Sequence, residues 1–252
     1  MNKIVGVAFI LALGCLQLEA LSKHQLSESE LRGFIDKVKE LWEKLKTVVK
    51  EAIDKAEAKI EEAWEKLKSK AEEWIHKGKE QINKIIDSLL GELEELKEKA
   101  KEAGVDIKDC TKDNEPALKQ LGINLLYDLT TCITDQVDAG ETIVTNIINE
   151  FKETYNNVVD YGRQIEECSN LALQRTLDNE FTCITKLIAK ITLEIAELPL
   201  SIANDVLKAI ELVEGLSTSL ETCATVQVAR ASAEGAGILA EITKCVNDKI
   251  NV

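Results

Sequence analysis

One phrase is written twice in this chain. Leu41-Trp42-Glu43-Lys44-Leu45-Lys46 returns further on as Ala63-Trp64-Glu65-Lys66-Leu67-Lys68. Ala52-Ile53-Asp54-Lys55-Ala56-Glu57 sits halfway between them, so the repeating unit is an 11-mer. Eleven residues in three turns is about 3.67 per turn, close to the natural 3.6, so an apolar stripe stays nearly straight along a helix. A strand would need alternation with period 2 instead. The apolar positions of the unit fall within a band about 100° wide. Phe34, Val38, Trp42, Leu45, Val49, Ile53, Ile60, Trp64, Leu67, Trp74, Ile82, Ile86 and Leu89 occupy it. Lysines such as Lys44, Lys46, Lys66 and Lys68 flank the band, and acids such as Glu43, Glu51, Glu62 and Glu73 gather opposite. Ser27-x-x-Glu30 has the form of a capping box that opens a helix. No proline follows until Pro116, so the segment is expected as one long helix, or as a helical hairpin bent at Gly78 or Gly91.

Two uses of such a stripe stay open. At a lipid surface the flanking lysines can lay their stems along the apolar boundary and reach the head groups, with tryptophans at the interface. The periodicity over residues 30–101 resembles the amphipathic repeats of exchangeable apolipoproteins. The same stripe equally serves to pack one helix on another or on a protein partner, and Glu–Lys pairs at i,i+4 stabilise any exposed helix face. The stripe is therefore a candidate surface for lipid or for a partner.

The N-terminus reads as a secretory leader over residues 1–20: Lys3, an apolar run from Ile4 to Leu13, and a cleavage position at Ala20. No other segment approaches the roughly 20 apolar residues of a transmembrane helix. Six cysteines follow the leader: Cys110, Cys132, Cys168, Cys183, Cys223 and Cys245. An even number in a secreted chain argues for disulfides. Zinc would want C-x-x-C spacing or nearby histidines. Here even the closest two cysteines, Cys168 and Cys183, are spaced far wider than that, and His24 and His76 lie outside the cysteine region.

Charge marks a boundary. Residues 22–104 hold 18 basic and 20 acidic side chains, whereas 105–252 hold 12 and 24. The expected organisation is an all-α chain: the leader, an amphipathic helical region over 21–104, and a disulfide-stapled six-cysteine helical bundle over 105–252. In that last part, helices are expected from Pro116 to about Val137, from about Glu141 to Gln174, from Asp178 to Leu198, from Leu200 to Ala231, and a final one ending near Ile250. Asp138-Ala139-Gly140, Pro199 and Gly235 read as the breaks between them.

Those breaks suggest a connectivity. A hairpin about Gly235 would bring Cys223 level with Cys245, and Cys168 and Cys183 are symmetric about Arg175–Asp178. By elimination Cys110 would pair with Cys132. That pairing requires the helix after Pro116 to break at Gly122, because a straight one would hold the two more than roughly 20 Å apart. Six cysteines allow 15 connectivities, so these pairs remain one choice among several.

The cysteine region also carries a family likeness. Cys110, Tyr127 with Cys132, Ile165 with Cys168-Ser169-Asn170-Leu171, Asn179-Glu180-Phe181-Thr182-Cys183, Cys223 and Lys244-Cys245 together resemble the tsetse EP domain family of secreted insect proteins. The likeness covers residues 110–245. The Glu-Pro repeat tail of the namesake is missing, with a single Glu115-Pro116 in its place. The resemblance implies an insect-like extracellular protein with a role in defence.

Signs of catalysis are absent from the sequence. There is no G-x-S-x-G, H-E-x-x-H, G-x-G-x-x-G or P-loop, and the two histidines are too few for most acid–base or metal designs. Asp135, Asp138 and Glu141 lack EF-hand spacing and read as a solvated turn. The net charge of −14 excludes phosphate-driven nucleic-acid binding. The expectation is a secreted, non-enzymatic binding protein without cofactor or metal, meeting a protein or a lipid surface. Its oligomeric state stays open.

Overall fold

A computed structural model describes residues 28–173 and 177–250, the side chains of 28, 171–173 and 177–181 excepted. Four helices run through the described residues: α1 (Glu28–Glu102), α2 (Lys108–Thr111), α3 (Asn114–Leu173) and α4 (Leu177–Ile250). The protein is all-α, a three-helix bundle of long helices stapled by three disulfides. The expected leader, Ser27 of the expected capping box, and Arg175 of the expected turn lie outside the described residues.

α1 is a single helix of 75 residues, not a hairpin. Its exposed face is laced by pairs such as Lys66–Glu62, and Lys46–Glu43 one residue closer in spacing. Such pairs support a helix by a few tenths of a kcal/mol each. Gly104, at φ 69°, ends it. There Val105 N–H donates to Ala100 O and Gly104 N–H to Lys101 O. This is the glycine-capped Schellman termination, in which a residue without Cβ takes the left-handed conformation cheaply. The boundary expected near 104–114 is thus a chain reversal, occupied by α2. Pro116 lies in the first turn of α3, where its missing N–H costs nothing.

The remaining expected breaks are not breaks. α3 runs through Asp138-Ala139-Gly140, and Asp135, Asp138 and Glu141 lie along that helix, not grouped on a turn. α4 runs through Pro199 and Gly235. Five expected helices are two. The physical reason is what stands opposite. A Cβ built on Gly140 would meet the Trp64 ring at 2.6 Å, and one on Gly235 would meet a Leu89 methyl at 2.3 Å. These glycines admit a neighbouring helix's side chain against the backbone, a use of glycine unrelated to turning.

Two of the expected disulfides are corrected for the same reason. Cys223 and Cys245 share the unbroken α4, where the intervening helix holds them roughly 33 Å apart. Cys132 lies well inside α3, far along the helix from the α2 end that carries Cys110. The bonds are Cys110–Cys245, Cys132–Cys223 and Cys168–Cys183, with Cα atoms 5.7, 5.8 and 5.8 Å apart. Only the last of these was the pair expected.

The chain forms two compact units, and they divide it differently from the split expected between 21–104 and 105–252. Of the described residues, those from 28 to 52 and within 152–200 make the first, those from 53 to 151 and 201 to 250 the second. The first unit is cored by Val38, Leu45, Val49, Val158, Ile165 and Ile191, with Cys168–Cys183 joining its α3 and α4 stretches. Ile60, Ile82, Leu93, Leu125, Ile133 and Leu220 core the second, and its two disulfides join α2 and α3 to α4. In each unit a stretch of α1 supplies one of the three helices.

Candidate functional site

The candidate face on α1 is turned inward in both units. Val38, Leu45 and Val49 are buried in the first; Ile53, Ile60, Leu67, Ile82, Ile86 and Leu89 are buried in the second. Phe34 in the first and Trp64 and Trp74 in the second are half-buried, as is Trp42 in the first. Burying each large aliphatic is worth about 1.5–3 kcal/mol, so this stripe carries much of the stability of each unit.

The tryptophans show how the stripe is seated. In the first unit the Trp42 ring fills the notch at Gly162, where a Cβ would stand 2.6 Å from the ring. Its indole N–H donates to Val158 O at 2.8 Å. Val158 lies one turn before Gly162, so the glycine opens the way to that carbonyl. In the second unit Trp64 and Leu67 fill the notch at Gly140. Gly78, one of the two expected bend points, receives Leu129 in the same way.

The flanking lysines have a local role. Lys46 stands 3.7 Å above the Trp42 ring, Lys68 stands 5.5 Å from Trp64, and Lys77 stands 5.3 Å from Trp74. Each of these lysines also pairs with a glutamate: Glu43, Glu65 and Glu73 respectively. Each tryptophan is thus roofed by a cation held in place by an acid. Such cation–π contacts are worth about 0.5–1 kcal/mol at exposed sites. The sequence carries the signal in the lysine three or four residues after each tryptophan.

Polar clusters elsewhere are structural. Lys97 is half-buried between Glu94 and Glu115. Hydrogen bonds from Lys119 and Lys97 hold the Glu115 carboxyl below its ordinary pKa. In the first unit the buried Tyr161 hydroxyl donates to Glu194, and burial together with that bond raises the phenol's pKa. His76 is exposed, 3.6 Å from Glu80. Among the described residues, no cluster of His, Cys, Asp or Glu could hold a metal ion. No helix among them is long and apolar enough to cross a membrane.

What is left outward is a small set of apolar side chains that lie outside the repeat and that its periodicity does not point to. The first unit exposes Val159, Leu193 and Leu200; the second exposes Ile123, Tyr127, Leu207, Leu212 and Val226. Ile123 and Tyr127 are one turn apart on α3, and between Gln120 and Thr134 the only charged residue is Asp128. The second unit also has a half-open groove of about 360 Å³ floored by Leu67 and Val213. Two of its rim cations are engaged: Lys66 with Glu62, and Lys70 with the Ser217 hydroxyl at 2.8 Å.

No family model, curated protein or solved structure matches this chain.

Proposed function

We propose that this is a secreted, non-enzymatic binding protein of an extracellular fluid, acting on another protein through the outer faces of its helices. The observation that carries this reading is the burial of the α1 stripe. The stripe is engaged inside each unit, with every tryptophan roofed by a lysine. Contact with a partner then falls to the outer face of the second unit, where Tyr127 is 70% exposed beside Ile123 in an almost uncharged stretch. Exposed aromatic anchors with little charge around them are what protein interfaces favour. Three disulfides support an oxidising compartment. The cysteine spacing that resembles the tsetse EP domain family supports an insect-like fluid and a defence role.

A second reading, a carrier of lipid or hydrophobic ligand, is favoured by one specific observation. All three disulfides join α2, α3 and α4, and none reaches α1, which has no cysteine. A lipid surface that competed for the stripe would have to draw α1 away without breaking a covalent bond. Tryptophan emission with anionic phosphatidylglycerol vesicles separates the two readings, because Trp42, Trp64 and Trp74 all lie on α1. Unchanged emission is expected. A blue shift accompanied by vesicle binding replaces the first reading with the second.

A further inference from the structure

We draw no further inference here: the strongest candidate, the half-open groove between α1 and α4 in the second unit, carries nothing because Lys66 and Lys70 on its rim are already held by Glu62 and Ser217 and nothing in the structure shows what covers its floor of Leu67 and Val213.

Discussion

Replacing Gly162 by alanine tests the seating of α1 in the first unit. The added Cβ would stand 2.6 and 2.7 Å from Cζ2 and Cη2 of Trp42. Carbon atoms in contact settle at about 3.5–4.0 Å, so the ring must retreat by about 1 Å. The ring is not free to do so. Its Nε1–H is bonded at 2.8 Å to Val158 O, a carbonyl on the same helix as Gly162, and such a retreat takes that bond past its useful range. Overpacking of this kind costs about 1–3 kcal/mol, and the lost hydrogen bond about 1 kcal/mol. Alanine returns about 1 kcal/mol through its higher helix propensity. The net expectation is a loss of about 1–3 kcal/mol. Gly91 supplies the control, since a Cβ there meets nothing within 4 Å and only the propensity gain of about 1 kcal/mol remains. Equilibrium urea unfolding, followed by circular dichroism with the disulfides intact, should move the midpoint down for Gly162→Ala and up for Gly91→Ala. Midpoints that move together in either direction refute the notch argument.

Further expectations concern the covalent and charged contacts. Removing Cys132–Cys223, which closes a separation of 91 residues, should cost about 4–5 kcal/mol, against about 3 kcal/mol for Cys168–Cys183 at a separation of 15. Paired Cys→Ser variants compared by urea midpoint check this, and the opposite ranking would count against it. Glu115 has a folded pKa below its ordinary value, so its contribution is present above the unfolded pKa and disappears as pH falls through the folded one. E115Q should therefore be less stable than wild type near pH 7, by under about 1 kcal/mol, and the gap should close below about pH 4. A gap independent of pH would show that Lys97 and Lys119 do not act on the charged carboxylate. Trp42→Phe keeps most of the ring in the Gly162 notch but leaves Val158 O without its indole donor, and should cost about 1 kcal/mol in the same unfolding assay.

How much of this fold was legible turns on the glycines. The 11-mer repeat told which side of α1 is apolar, because that depends only on the helix's own periodicity, and Val38, Leu45, Ile60 and Leu67 are buried as that side requires. The rest depended on α3 and α4, where local grammar and tertiary fit disagree. Asp138-Ala139-Gly140 has the composition of a turn, yet it is mid-helix because Trp64 needs the room. The signal for that was present at longer range. Trp42 and Trp64 stand two repeat units apart on α1, and the glycines that receive them, Gly162 and Gly140, stand equally far apart on α3 in the reverse order. A matched spacing in reversed order is the sequence sign of two helices that pair antiparallel. The disulfide errors follow from the same misreading. Once Gly140 and Gly235 are notches, each helix is unbroken, cysteines on one helix cannot meet, and the bonds must run between helices. In a chain with so few prolines, the residues opposite a glycine decide its role more than the residues beside it.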